Sequence, residues 1–294
     1  MISPIAQLPE VQVRPLIAAY AAQVRARRLH TLLMFAVMLV AVGLSCIVAE
    51  VSPSLFFAKI GNFTGYIGRL FHLDSGALVI TDPVEWYWGF PRWARLLGET
   101  IVMAYVGTAL GAIGAFFLAF LAAANVTQSR WLSFAVRRFC EFCRTVPGLV
   151  FALMFVIAFG LGPMAGVLAI AIHSLGALGK LFAEVVENID SKPVEGVQAT
   201  GAPWHVSMRF GALPQVMSNF VSYTLLRFEI NVRESAVLGF VGAGGIGMDL
   251  FEAIRKFYYS DVSAILVMII VTVAVIDIFT GKIRHRLIGL VEGH

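Results

Sequence analysis

The chain has 294 residues, 59% of them hydrophobic and only 14% charged, with a mean hydropathy of +0.83 and a formal net charge of +4. Soluble domains carry roughly 25% charged residues, so this composition excludes a water-covered globule. Repeated apolar runs close to the roughly 20 residues that cross about 30 Å of hydrocarbon predict an all-α polytopic membrane protein.

Residues 1–30 read as a basic arm, carrying Arg14, Arg25, Arg27, Arg28 and His30. The apolar run over 31–49 is too long and starts too late for a cleaved leader, so it is expected to be a retained first span. Pro53, Asn62, Asp74, Asp82, Pro83 and Pro91 interrupt 50–95. Trp86, Tyr87, Trp88 and Trp93 there suit an interfacial helix and loop. A second span is predicted over 99–124, where Gly107, Gly111 and Gly114 permit close helix approach. A link with Arg130, Arg137, Arg138 and Arg144 leads to a third span over 145–159, and the turn GLGP leads directly to a fourth over 164–182. A polar loop over 183–214, a fifth span over 215–241, a glycine-rich loop over 242–260 and a sixth span over 262–281 complete a transmembrane region of 31–284. The tail is 285–294. Basic residues concentrate in the arm, the 125–144 link, the 180–214 segment and the tail, so the positive-inside rule puts these and both termini in the cytoplasm. Residues 50–95 and 242–260 then face outward. Because the cations flank spans and do not form an aromatic-interleaved face, no nucleic-acid partner is expected.

Gly242, Gly244 and Gly247 have the G-x-G-x-x-G spacing of a dinucleotide-binding turn. That fingerprint needs a soluble strand–turn–helix unit, whereas these glycines lie between two spans on the outer side. With Gly245 they read instead as glycines of a periplasmic gate loop or of close backbone packing. Cys140 and Cys143 form one C-x-x-C without further ligands at zinc spacing, so they read as structural and no metal is expected.

RFEINVRE, residues 227–234, places four charges inside the fifth span. Each costs about 2.5–3.5 kcal/mol on insertion scales and must find a partner. One reading is mutual neutralisation, Arg227 with Glu234 and Glu229 with Arg233. The other turns Arg227 or Arg233 toward a translocation path, where a guanidinium presents two parallel donors to an oxyanion. His173, midway along the fourth span, is a further path candidate, although a lone histidine there is more often hydrogen-bonded between helices. Asp277 reads as a boundary pairing partner for the cations that follow it.

The most specific signal is EGVQATGAPWHVSMRFGALPQ, residues 195–215. It resembles the E-A-A-x3-G-x9-I-x-L-P loop of permease subunits of ATP-binding-cassette importers, with Glu195, Gly201, Leu213 and Pro214 at matching positions. Gly196 and Val197 stand in place of the two alanines, and Gly211 in place of the isoleucine. Residues 144–190, NVRESAVLGFVGAGGIG (231–247) and D-x4-K-I-R-H-R (277–286) resemble the phosphonate-permease branch. The resemblance covers about half the chain.

It implies a type I importer transmembrane fold in the bacterial inner membrane, paired with a second copy and two ATPase subunits. A periplasmic or lipid-anchored phosphonate-binding protein would deliver the substrate. Glu195, Gly201, Leu213 and Pro214 would couple to the ATPase. ATP and Mg²⁺ would be held by that partner, since no G-x-x-x-x-G-K-[ST] loop occurs in these residues. No cofactor is expected in this chain, which would be a non-catalytic subunit. Phosphite, phosphate or another small anion are alternative substrates. A proton-coupled secondary carrier, the alternative class, would need an isolated mid-membrane carboxylate and often inverted repeats. A membrane enzyme would need a nucleophile or metal cluster, and the six histidines are scattered.

Overall fold

The computed structural model describes residues 10–73, 75–127 and 129–289; positions 1–9 of the expected arm and 290–294 of the expected tail lie outside them. The chain forms two units, Met1–Tyr66 and Ile67–His294, with the boundary inside helix α2. In the first unit, α1 (Glu10–Val48) precedes α2 (Pro53–Leu70). The division into a basic arm and a span beginning at residue 31 does not appear as a break in structure. No proline interrupts the chain between Pro15 and Pro53, so the helix runs through the basic residues into the apolar ones. Leu33, Val37 and Leu44 on its apolar part are exposed, as side chains meant for lipid would be.

The second unit contains α3 (Pro83–Trp86), α4 (Phe90–Ala122), α5 (Arg130–Thr145), α6 (Gly148–Phe159), α7 (Pro163–Glu187), α8 (Ser191–Ala199) and α9 (Trp204–Ser207). A π-helical turn, Met208–Ala212, leads into α10 (Leu213–Leu238), followed by a 3-10 turn, α11 (Ile246–Lys256) and α12 (Tyr259–Gly289). The only strand-like pairing among the described residues is an isolated bridge between His72 and Leu78. Four segments are singly long and apolar enough to cross a membrane: Ala19–Val48, Phe90–Ala122, Pro163–Glu187 and Tyr259–Arg286. Two bent pairs, α5 with α6 at 85° and the α10 region with α11 at 50°, raise the number to up to six.

Four expected boundaries change. The third span, expected over 145–159, is the 12-residue α6, which rises only about 18 Å and cannot cross about 30 Å alone. Pro147 at its N-cap separates it from α5. The expected gate loop over 242–260 holds a helix, α11, because Ile246, Leu250 and Ala253 recur at helical spacing and are buried. The polar loop expected over 183–214 begins only after Glu187, since α7 continues that far, and α4 starts nine residues before the expected second span, behind Pro91.

Helix α7 is the centre of this unit, lying between α4 on one side and α5 on the other. A Cβ on Gly107 would come within 2.7 Å of Ile170, and one on Gly111 within 2.7 Å of Ser174 Cβ and 2.8 Å of the Ala171 carbonyl. On the opposite flank, a Cβ on Gly176 would come within 2.6 Å of the Cys140 carbonyl, and one on Gly179 within 2.8 Å of Cys140 Sγ. Without a hydrophobic driving force between helices in lipid, such backbone proximity supplies the packing that holds them together. Phe182 of α7 stacks on Phe220 of α10 at 4.0 Å between centroids, closing the core at one end.

A valine at Gly111 should therefore separate α4 from α7. Gly111→Val is expected to lower the Tm of the purified protein by several degrees. Gly98→Ala, on the same helix with open space at the Cβ, should be neutral or stabilising by a few tenths to about 1 kcal/mol. Equal Tm values for the two variants would refute the close-packing assignment.

Candidate functional site

Three groups of residues stand out from the packing. The first is the exposed helix pair after α7. Asp190 caps α8 by accepting from the Lys192 amide at 3.1 Å. Gly201 follows the C-cap Thr200 at φ +82°, the left-handed conformation that stops the helix and turns the chain toward α9. Val194 is buried against Met208, Ala212 and Val216, so one face of α8 is anchored while Glu195, Gln198 and Gly201 are exposed. Gly211 has a structural reason: a Cβ there would sit 2.8 Å from Val194 Cα, so glycine lets α8 lie directly on the π-helical turn. Leu213 and Pro214 open α10, Leu213 packed against the core and Pro214 in the first turn, where its missing N–H costs nothing.

Two latches hold this surface. Asp190 N donates to Gln215 Oε1 at 3.0 Å, and Gln215 Nε2 donates to the Asp190 carbonyl at 3.2 Å and the Gly211 carbonyl at 2.7 Å. Trp204 Nε1 donates to the Val126 carbonyl at 2.7 Å, and Glu187 accepts from the Ala124 amide and from Arg137. The first latch fixes α8 to α10; the second ties α9 and α7 to the link between α4 and α5.

The second group is a buried polar cluster where α4, α7 and α10 meet. Asn231, fully buried, donates through Nδ2 to Thr108 Oγ1 at 2.7 Å and Ser174 Oγ at 2.8 Å. Arg227, one turn earlier on α10, donates through Nε to the same Ser174 hydroxyl at 3.4 Å. Its Nη2 lies 3.5 Å from Glu234 Oε2, and its side chain is 12% exposed. His173, beside Ser174, shares its Nδ1 with the Val146 carbonyl at 3.2 Å and lies in the field of Arg227 and Glu234. Arg227, Glu234 and His173 thus converge near the α5–α6 break, where Gly148 faces the Glu234 carboxylate.

Arg233 is not part of that cluster. It pairs with Glu229, whose side chain is 7% exposed, and reaches Asp277 of α12 at 4.0 Å. The two pairings within RFEINVRE both form, but only Arg227 turns into the bundle beside Ser174, while the Arg233 side chain is 51% exposed. Thr108, Ser174 and Asn231 carried little signal as a site in sequence. Isolated hydroxyls in spans commonly bond back to their own helix, as Thr108 also does to Ala104 at 2.6 Å.

The third group is the glycine turn. Gly242, Gly244 and Gly245 adopt φ of +84°, +88° and +77°. The Gly162 amide donates to the Gly242 carbonyl at 2.9 Å, and the Ile246 amide donates to Thr100 Oγ1 at 2.9 Å. Gly247 lies against Gly239 and the Ala236 carbonyl, leaving no room for a Cβ. These glycines fold α11 back onto the end of α10 and dock it on the starts of α4 and α7.

Residues 115–288 match the family described as binding-protein-dependent transport system inner membrane component. Over 197 residues, 67% of this chain and 37% of the relative, it is 42% identical to the phosphate-import permease protein PhnE of Mycolicibacterium smegmatis, so it spans well under half of that protein's length. Over 198 residues, 67% of this chain and 72% of the relative, it is 39% identical to the phosphite transport system permease protein PtxC of Stutzerimonas stutzeri. It is 50% identical over 121 residues, 41% of this chain and 99% of the relative, to the putative cryptic phosphonate transport system permease protein PhnE2 of Escherichia coli. In fold it is similar to the inward-facing MetNI methionine ABC transporter, with a TM-score of 0.58 at 18% identity, covering 70% of this chain and 98% of that one. The all-α bundle is that of a type I importer transmembrane domain, and the chain belongs to the binding-protein-dependent transport system inner membrane component family.

Proposed function

We propose that this chain is the membrane-spanning subunit of an ATP-driven importer of phosphonates in the bacterial inner membrane. It works with a second permease copy, two separate ATPase subunits that hold ATP and Mg²⁺, and an extracytoplasmic binding protein. The observation that carries the reading is that an anchored, solvent-exposed α8 and the buried Arg227 are tied to one helix, α10. Glu195, Gln198 and Gly201 offer the ATPase a polar knuckle at the cytoplasmic end. Arg227, deep in the bundle, offers a fork of donors to a tetrahedral oxyanion. Ion-pairing with Glu234 and the bond to Ser174 hold the guanidinium charge in place without substrate. Phosphite is the second reading, favoured by the likeness to the phosphite permease over most of that protein's length.

Labelled phosphonate uptake in cells lacking and regaining the gene should follow ATP and survive collapse of the proton gradient. Gly201→Ala strains a left-handed residue by about 1–2 kcal/mol, and with Glu195→Ala it should cut uptake severalfold or more while membrane protein levels hold. Uptake that tracks the proton gradient would overturn the importer reading in favour of a secondary carrier. Stronger competition by phosphite than by phosphonate would shift the substrate to phosphite.

Arg227→Lys keeps the charge and loses the fork. Uptake is expected to fall about tenfold or more, on the order of one charge-assisted hydrogen bond, with Tm little changed. Arg233→Lys should cost much less, because an ammonium still answers Glu229 and Asp277 as a point charge. Equal losses in the two variants would remove Arg227 from the path.

A further inference from the structure

Helix α10 carries two unlike faces at the same depth. Gln215, Asn219 and Tyr223 recur every fourth residue and continue into Arg227, a polar row that advances about 40° per step. Met217 and Val221 sit roughly 200° away from Asn219 and Tyr223 on the helix and are exposed. Each face borders a groove. On the apolar side, a groove of about 420 Å³ between α10 and α4 is lined by Ile113, Phe117, Met217 and Val221, with almost no polar surface. On the other side, a cleft of about 320 Å³ between α10 and the end of α7 is lined by Glu184, Asn188, Asp190, Gln215, Asn219 and Tyr223.

Exposed apolar side chains at membrane depth belong against lipid, whereas amides, carboxylates and a phenol there belong against protein or water. The cleft cannot face hydrocarbon without leaving the exposed Asn219 amide unsolvated. We infer that the polar row Gln215–Asn219–Tyr223–Arg227 lines the aqueous route by which the oxyanion leaves Arg227 for the cytoplasm, with the α7–α10 cleft as its mouth. This rests on the importer reading and adds to it the residues of the exit. Tyr223, one helical turn from Arg227, is the residue of the row that lines the cleft nearest to it along the helix.

The test is cysteine accessibility in the assembled transporter, in inside-out membrane vesicles, with Cys46, Cys140 and Cys143 replaced by alanine. Single variants Asn219→Cys, Tyr223→Cys, Met217→Cys and Val221→Cys are treated with a membrane-impermeant cationic methanethiosulfonate and, separately, with a lipid-soluble maleimide. Asn219→Cys and Tyr223→Cys are expected to react with the impermeant reagent at least about tenfold faster than the other two, and modification at Tyr223→Cys should block the ATP-driven release of phosphonate from vesicles loaded with phosphonate and its binding protein. Met217→Cys and Val221→Cys should react with the maleimide and retain that release. Should one polar-row variant fail to assemble, the other carries the comparison, and Glu184→Cys at the mouth replaces the missing site. Equal rates on the two faces, or faster reaction at Met217→Cys and Val221→Cys, would overturn the route. A fast polar row in a transporter that moves no phosphonate or phosphite would uphold the water-lined cleft while sinking the oxyanion reading.

Discussion

How close α4 comes to α7 decides the rest of the bundle. At Gly111 the two backbones meet so tightly that a single methyl group would strike Ser174. That approach brings the Ser174 hydroxyl and the Thr108 hydroxyl within reach of one amide on α10, and Asn231 joins all three helices through it. In water such a junction would be one polar contact among many. In a bilayer the alternative for Asn231 is an unsatisfied amide in hydrocarbon, so the junction specifies which face of α10 turns inward.

Once that face is set, the four charges of RFEINVRE separate. Arg227 shares Ser174 with Asn231 and turns inward; Arg233 lies about 120° around α10 and turns toward Asp277 on α12. The same local sequence therefore supplies a buried cation and a linkage between two helices. Neutralisation, one of two alternatives on sequence grounds, is what the structure shows at Arg227: Glu234 balances the charge from the same helix while the guanidinium stays in the bundle beside Ser174. A permanent partner of this kind lets a cation persist at membrane depth.

Much of the architecture was legible from the chain. Apolar length found α4, α7 and α12, and the small residues at 107 and 111 marked the tight helix pair. Where the reading failed, the cause was local. The α6 segment is apolar throughout, and no hydropathy sum shows the 85° bend that Pro147 introduces. Helix α11 was hidden because glycines before it and charged residues within it look like loop. The Asn231 junction was invisible because its partners, Thr108 and Ser174, lie 123 and 57 residues away, and hydroxyls in a span give no sign of which helix they will meet. Gly211 looked like a departure from the loop pattern, and its reason appears only when Val194 is seen lying on it.

The Gln215 latch makes α8 and α10 one mechanical piece. Gln215 grips both the start of α8 and the turn beneath it, and from Gln215 to Arg227 the helix runs twelve residues without a proline, a length of about 18 Å. A stiff rod of that length behaves as a lever: tilting its foot by about 10° displaces its far end by about 3 Å, one hydrogen-bond length. A push of a few ångströms on α8 would thus be sufficient to trade one set of partners at Arg227 for another, with no residue in between changing its own conformation.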